Sequence, residues 1–395
     1  MRNEKNIWHF DYSVLMKASL YFLLYVGVMR KGVIILLSLL MAVSCKDTES
    51  DCAVDRTIEC RESQIRQDIP EYVKNVTFLP LESGDNTLLG SVDKVAFYND
   101  LIYIADYSSR KILAYDMNGK LCFVLDRQGR GPGEYLEVKS FTVDADNLYV
   151  LDNIGKKLLA YDPLTGKYKA SREMPIVAWD VEALSNGDLI FAFVTAGGKC
   201  SKEQPPYRLF VTDNDLNIKI QMLGYGEKED SDAFGYGHFF STYRDKILFC
   251  SYGNDAYYVL DRGNGEIIET VGIDFENKAS RKDKNDVSLI NSFTHLGSVP
   301  IVCGDYLFCD ITTKDAGGGY CLYGSNTNGF VSNPENGGRN CMLEPVCSYA
   351  DSFVSVLEDR DMYDFIVSTG FQKAGEDAEN ALDSGSLVLL FYHMI

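Results

Sequence analysis

The chain has 395 residues, of which 46% are hydrophobic, and it is rich in Tyr (25), Phe (21) and Gly (33). This length and apolar content allow a sizeable core and exclude an intrinsically disordered protein. The formal charge is −19 at pH 7 and becomes about −22 without residues 1–44, which carry five basic and two acidic side chains. Such a surface repels phosphate backbones and anionic headgroups, so no nucleic acid is expected as a partner.

An apolar run near the N-terminus, residues 33–44 (VIILLSLLMAVS), is shorter than the ~20 residues that span a bilayer. Basic residues Arg30 and Lys31 precede it and Cys45 follows it, which is the layout of a signal peptide. We therefore predict a signal region over residues 1–44, with the true start at Met29. A short membrane helix is the alternative interpretation.

The end of this run at Cys45 resembles the lipobox of bacterial lipoproteins. That resemblance implies cleavage before Cys45 and acylation of its thiol. Residues 45–71 then form a lipidated tether, and the acidic segment 46–51 resembles the signal that sends some lipoproteins to the outer face of the outer membrane. The expected location is the outer membrane, facing the periplasm or the cell surface, with the lipid anchor as the only membrane contact.

A repeat sets the architecture of residues 72–395. Two strand-like runs, Leu101–Asp106 and Lys111–Asp116, recur as Leu148–Asp152 and residues 157–162, with the strand-ending aspartates 46 residues apart. A period of about 40–50 residues with four strand-like runs is typical of propeller blades. Hairpin turns at Asn118-Gly119 and Thr165-Gly166 support this reading because these residues tolerate positive φ.

Weaker copies of the repeat continue to the C-terminus. They comprise residues 189–194 with 208–213, 246–252 with 256–261, 306–312 with 320–324, and a last copy that begins at 352–358. The fold class is therefore all-β, a six-bladed β-propeller, and seven blades remain the alternative. Each blade is expected to contain strands a to d, numbered from the central channel outward.

The last blade lacks sequence for its outer strand. After residues 352–358 we predict a helical insertion over residues 362–369, a Gly/Asp/Asn-rich loop, and a strand over residues 386–394. Residues 76–82, near the N-terminus, form a strand-like run with no blade of its own. Pairing of this run with residues 386–394 would close the ring and remove its open edges.

Three segments resemble the six-bladed β-propeller lipoproteins related to NHL repeats. They are residues 125–135 (LDRQGRGPGEY), 78–82 (FLPLE) and 387–392 (LVLLFY). The resemblance implies a fold and an envelope location, and it implies no reaction.

Motifs for chemistry are sparse. Residues 129–133 (GRGPG) lack the Gly-Lys-Ser/Thr ending of a phosphate loop, and residues 213–215 and 230–232 lack the remainder of a calcium loop. The strand-ending aspartates Asp106, Asp116, Asp152 and Asp162 are expected to accept backbone N–H groups in turns. No cofactor or metal site is predicted. Cys52–Cys60 and Cys341–Cys347 are the local pairs that could form disulfides.

Strand parity places every b–c and d–a loop on one face of a propeller. The long loops at residues 127–137, 195–207, 225–237 and 274–297 all belong to that face, where elaborated loops usually carry function. The predicted ligand-binding residues in or beside these loops are Arg130, Tyr135, Tyr225, Tyr236, His238 and His295. Aromatic rings with scattered donors suit a glycan or a peptide, and ordinary loop packing is the alternative interpretation.

Two functions remain open. The first is a non-enzymatic binding or scaffolding protein at the cell envelope, expected to be a monomer, with a glycan, a peptide or an envelope protein as partner. The second is a propeller hydrolase or lyase with a metal in the central channel. The predicted channel-lining strands, residues 94–98, 141–144, 181–184 and 239–243, contain few Asp, Glu, His or Asn side chains for a metal cage. Binding is therefore favoured over catalysis.

Overall fold

Short apolar runs separated by tight turns fold into six antiparallel sheets. The computed structural model describes residues 53–61, 65, 72–84, 86–195, 207–225, 237–280, 283, 287–313, 317–326, 329–333 and 341–395. The predicted signal region and the lipidation site at Cys45 lie outside these residues. In the described part of the chain, no helix combines the length and the apolar character needed to cross a bilayer.

Two strands precede the blades, and the first three blades then follow in chain order. The early strands are β1 (Arg56–Cys60) and β2 (Val73–Pro80). Blade 1 consists of β3 (Lys94–Tyr98), β4 (Leu101–Asp106), β5 (Lys111–Asp116) and β6 (Leu121–Leu125). Blade 2 consists of β7 (Ser140–Val143), β8 (Leu148–Asp152), β9 (Lys157–Tyr161) and β10 (Tyr168–Glu173). Blade 3 consists of β11 (Asp180–Ala183), β12 (Leu189–Ala192), β13 (Tyr207–Thr212) and β14 (Ile218–Gly224).

The other three blades contain the irregular features. Blade 4 consists of β15 (Phe240–Tyr243), β16 (Lys246–Phe249), β17 (Ala256–Asp261) and β18 (Ile267–Phe275). A 3-10 helix (Val287–Ser292) leads to blade 5, which consists of β19 (His295–Leu296), β20 (Ile301–Cys303), β21 (Tyr306–Thr313), β22 (Gly317–Gly324) and β23 (Gly329–Asn333). Blade 6 consists of β24 (Cys347–Tyr349), β25 (Ser352–Leu357), β26 (Val388–Met394) and β2.

The inner strands of the six blades form a closed ring. Each inner strand contacts the next one in the order β3, β7, β11, β15, β20 and β24, and β24 in turn contacts β3. This arrangement is a six-bladed β-propeller, and the seven-blade alternative is wrong. Apolar side chains pack between neighbouring blades; Tyr103, Phe141 and Leu159, for example, share one core between blades 1 and 2.

Pairing between the two ends of the chain closes the ring as predicted. β2 is antiparallel to β26 from Val73, opposite Met394, to Pro80, opposite Val388. The ladder continues into the next residue, because the Leu81 amide donates to the Leu387 carbonyl at 2.9 Å. Val76 and Leu81 are buried, which contributes roughly 1.5–3 kcal/mol for each side chain.

The strand-ending aspartates act in turns, as predicted. The Asp106 carboxylate accepts hydrogen bonds from the Gly90 and Ser109 amides, and it thereby ties the loop entering blade 1 to its b–c turn. One repeat later, Asp152 accepts from the Leu136 and Gly155 amides in the same way. Burial would raise the pKa of Asp106. Hydrogen bonds from the Ser108 and Ser109 hydroxyls and from the Ser109 and Gly90 amides outweigh this effect and lower that pKa.

The c–d turn of blade 1 confirms the Asn-Gly hairpin signal. Gly119 has φ +79°, and a Cβ atom there would lie 2.0 Å from the Pro80 carbonyl oxygen. The close approach allows the Glu82 amide to donate to the Gly119 carbonyl at 2.7 Å. This glycine therefore joins blade 1 to the closing strand β2.

The predicted tether extended too far toward the propeller. Residues 56–60 were assigned to it, but they form β1, which is parallel to β18 at the outer edge of blade 4, with Ile58 opposite Ile273. Ile58 and Cys60 are buried against the core between blades 4 and 5. The alternation of Ile58 and Cys60 with polar neighbours suits an edge strand, although the surrounding polar sequence concealed it.

The insertion between β25 and β26 contains two helices. The predicted helix corresponds to α1 (Arg360–Ser368), whose N-cap Asp359 accepts a hydrogen bond from the Met362 amide. The segment predicted as a loop contains α2 (Glu376–Asp383), where Ala378 and Leu382 are buried on one face. Tertiary packing against β2 and β26 thus stabilises a helix with little intrinsic signal.

Graded truncation tests ring closure. We expect a chain that starts at residue 84 to aggregate or to lose cooperative unfolding, because it lacks β2 and exposes β26. A chain that starts at residue 66 lacks only β1 and should melt cooperatively at a lower temperature, since blade 4 retains its own four strands. A chain that starts at residue 53 is the control. Equal melting temperatures for all three would contradict the closure.

Candidate functional site

A buried ionic network lies at the start of the inner strands. The Lys94 ammonium group, from β3, lies 2.6 Å from Glu182 Oε1 and 3.4 Å from Asp180 Oδ1, both from β11. Hydroxyl groups from β7 complete the network: Ser140 donates to Asp180 at 2.5 Å and Thr142 donates to Glu182 at 3.0 Å. All three charged side chains are at most 8% exposed.

Asp180 connects four of the six blades. Besides Lys94 and Ser140, its carboxylate accepts hydrogen bonds from the Phe239 and Phe240 amides of blade 4. Burial opposes ionisation, but Lys94, His238 and these hydrogen bonds outweigh it and lower the pKa of Asp180. Burial likewise opposes the charge on Lys94, and the two carboxylates outweigh it and raise the pKa of Lys94. Asp180 and Lys94 are therefore both ionised near neutral pH.

His238 completes the network on the side of blade 4. Its Nε2 atom is hydrogen-bonded to the Asp93 carbonyl, and its Nδ1 atom lies 3.9 Å from Asp180 Oδ2. The Tyr107 ring packs edge-on against the imidazole, with ring centroids 5.7 Å apart. Burial lowers the pKa of His238 despite the attraction of Asp180, so the imidazole is neutral at pH 7.

A central cavity of about 470 Å³ begins at this network and extends along the inner strands. Lys94, Glu182 and His238 line one part of it. Its other part reaches the short a–b turns, where Arg244 and Ala350 are exposed to solvent. The volume lies within the range typical of small-molecule sites, roughly 300–1,000 Å³.

Aromatic and basic side chains surround the opening among the short turns. The Tyr349 ring stacks on Phe97 with centroids 4.2 Å apart. Arg244 lies over the Tyr243 ring and donates to Asp351 at 2.8 Å. Tyr98 and Arg262 also line this part of the cavity.

A shallow groove continues from this opening toward the closing strand. It shares Tyr349 and Ala350 with the cavity and is further lined by Phe78, Phe391 and His393. His393 is held by hydrogen bonds of 2.8 Å to the hydroxyls of Thr77 and Ser352. The groove therefore depends on the pairing of β2 with β26.

Five of the six residues predicted to bind a ligand are described by the structure, and of these five His238 alone is among those that line the cavity. Tyr135 is fully buried, and its hydroxyl donates to main-chain carbonyls, including that of Arg110 at 2.9 Å, so its side chain holds the loop after blade 1. Arg130 is exposed in the same loop. Tyr236 lies outside the described residues.

Tyr225 and His295 occupy packing positions. Tyr225 contacts the Arg208 guanidinium, 4.1 Å from the ring centroid, and its hydroxyl donates to the Phe193 carbonyl at 3.3 Å. His295 is fully buried between the rings of Tyr252 and Phe293. The structure thus does not bring the five described residues of this set together in one site, and the ligand-binding roles of all six stay predictions.

Sequence reasoning missed the network because of strand boundaries. The inner strands of blades 2 and 3 begin at Ser140 and Asp180, one residue before the predicted starts. The signal was present in the repeat, since Lys94 and Ser140 are 46 residues apart and occupy the same position in consecutive blades. A polar residue at the start of the inner strands of blades 1 to 3 is the pattern that would have revealed it.

The described residues offer no metal cage and no disulfide between Cys341 and Cys347. Among the described residues, no group of three or more His, Cys, Asp or Glu side chains is arranged to hold a metal ion. Cys347 is a free thiol, so the suggested Cys341–Cys347 disulfide is not formed. Cys52 lies outside the described residues, which leaves the Cys52–Cys60 pair untested.

The chain belongs to a family described as a domain of unknown function (DUF4934), whose model matches residues 54–384. A Bacteroides fragilis protein described as a "Putative exported protein" is similar in structure, with a TM-score of 0.69, 17% identity and coverage of 86% of this chain and 99% of that chain. A DUF4221 family member from Bacteroides vulgatus (TM-score 0.46, 14% identity) covers 81% and 96%, respectively. The match to the Neurospora crassa Pan2 WD40 domain has a TM-score of 0.37 and 10% identity, and it covers 68% of this chain and 74% of that chain. No curated protein matches the chain.

Removal of the ammonium group tests the network. We expect Lys94→Met to lower the free energy of unfolding by about 3–5 kcal/mol, because Asp180 and Glu182 would remain buried without a counter-charge. The triple variant Lys94→Met, Asp180→Asn, Glu182→Gln should regain part of this loss. Lys246→Met, at an exposed strand start, is the control in urea titrations. A loss below 1 kcal/mol would show that the network is not buried in solution.

Acidification should destabilise the protein through its histidines. Burial lowers the pKa of both His238 and His295, so below pH ~6.5 the folded state binds fewer protons than the unfolded state. The free energy of unfolding is therefore greatest above that pH and falls as the pH drops from about 7 to 5. His295→Gln should flatten this slope in urea titrations at several pH values. An unchanged slope would contradict the assignment of His295 as a buried neutral group.

Proposed function

We propose that this protein is an exported, lipid-anchored binding protein of the cell envelope, in which the central cavity holds the ligand without a covalent step. The observation that carries the proposal is the cavity itself. It is formed by the inner strands, lined by polar and aromatic groups, and open to solvent among the short turns.

Rigidity of the lining supports a binding role. The inner strands are held at one end by the Lys94, Asp180 and Glu182 network. At the opening, Tyr349 is stacked on Phe97. Side chains that are fixed before binding lose less conformational freedom when the ligand arrives, which favours affinity.

The location rests on sequence features and one structural relative. The signal-like run that ends at Cys45 supports export and lipid anchoring. The similar Bacteroides fragilis protein is described as exported, which agrees with this location. We expect the mature N-terminus at an acylated Cys45 in the outer membrane. Mass spectrometry of the membrane-extracted protein tests this, and a mature N-terminus at another residue would contradict it.

A ligand screen with cavity variants tests the binding site. Peptides and glycans extracted from the envelope are added to the purified protein, and ligands are detected by the rise in melting temperature that binding produces. We expect Tyr243→Ala to weaken binding about 30-fold in calorimetry, equivalent to about 2 kcal/mol, as for a central aromatic contact.

Tyr168→Ala, in the outer strand of blade 2, is the matched control and should bind normally. If binding is unchanged in Tyr243→Ala but is lost when Arg130 is replaced, the ligand binds on the long-loop face and not in the cavity. Turnover of a ligand that stops on chelation would favour a metal enzyme and overturn the proposal.

A further inference from the structure

Arg262 and Glu344, two residues of opposite charge, line the cavity and form no ion pair among the described residues. Arg262 donates to the Arg244 carbonyl at 3.4 Å, and no carboxylate of the described residues lies within ion-pair distance of its guanidinium. Glu344 accepts a hydrogen bond from the Tyr320 hydroxyl at 2.5 Å, and in the same described set it has no basic side chain within that distance. Both side chains line the cavity.

The other charged groups of the lining are satisfied. Lys94 and Glu182 form an ion pair with each other. Arg244 is paired with Asp351, and the Asp93 carboxylate accepts hydrogen bonds from the Ser91 hydroxyl and the Tyr107 amide. Among the described residues, Arg262 is thus the one cation of the lining outside an ion pair, and Glu344, which is exposed to solvent and accepts from one hydroxyl, has the most capacity left for a ligand cation.

These two groups belong to opposite ends of the channel. Glu344 lies three residues before β24, in the connection that enters blade 6 from the long-loop side. Arg262 follows β17 directly, in the c–d turn of blade 4, on the side of the short turns. At about 3.3 Å per residue, an inner strand with its flanking residues spans about 15 Å between the two faces of the propeller.

We propose that the cavity binds a short peptide with free termini, its ammonium group at Glu344 and its carboxylate at Arg262. This inference rests on the proposed binding function and specifies the ligand class of the same site. A guanidinium binds a carboxylate through two parallel hydrogen bonds, and an extended peptide of about four residues spans the distance. A neutral glycan has no charged group to pair with Glu344 or Arg262. An acidic glycan has a carboxylate that could pair with Arg262 but no cation for Glu344.

Blocked peptides test the proposal directly. The probes are Ala-Tyr-Tyr-Ala with free termini, its N-acetylated form, its C-amidated form, and an acidic tetrasaccharide, titrated calorimetrically into the full chain. We expect the free peptide to bind and each block to weaken binding at least tenfold. Glu344→Gln should remove the effect of acetylation, and Arg262→Gln should remove the effect of amidation.

Matched variants in the outer strand of blade 2, Glu173→Gln and Arg172→Gln, should preserve both effects. Equal affinity for free and blocked peptides would overturn the proposal, as would binding of the tetrasaccharide alone. If another ligand binds in a Tyr243-dependent manner while the free peptide does not, the peptide proposal fails and the cavity function stands. If every ligand found binds independently of Tyr243, both fail.

Discussion

The pairing of β2 with β26 is the constraint on which the rest of the structure depends. A propeller blade cannot leave its outer strand missing without exposing an unpaired edge, and the last blade obtains that strand from the N-terminal side of the chain. Closure also brings β24 against β3, which completes the ring of inner strands. The central cavity and the groove beside Phe391 therefore exist only when both ends of the chain are in place.

The buried ionic network has a second, more local role. Ion pairs of this kind contribute little net stability, because desolvation of the charges offsets their attraction. The network nevertheless restricts the geometry: Asp180 can satisfy Lys94, Ser140 and the Phe239 amide together only if blades 1 to 4 meet at one angle and height. The network therefore affects the shape of the cavity through the geometry that it imposes on blades 1 to 4, and not through its net energy.

Strand parity predicts a binding site on the long-loop face of the propeller, whereas the described cavity opens on the face of the short turns. Loop length indicated the b–c and d–a face, and the ligand-binding roles of Arg130 and Tyr236 there stay predictions. The cavity instead reaches solvent among the short turns, next to Tyr243 and Tyr349. Short turns carry no length signal, so side chains at their edges cannot be distinguished from ordinary turn residues in the sequence. Only the convergence of six inner strands places them around one opening.

The sequence by itself determined the repeating and local features of this protein. The 46-residue spacing, the Asn118-Gly119 turn and the strand-like run of residues 76–82 predicted a propeller of six blades, with seven as the alternative, and its closure, because hydrophobic alternation and turn chemistry are short-range properties. Apart from that closure, tertiary structure decided which distant residues meet. Lys94 and Asp180 are 86 residues apart, and β1 joins β18 across more than 200 residues. The repeat aligns the starts of the inner strands, but which of their side chains meet is decided only when the blades close into a ring.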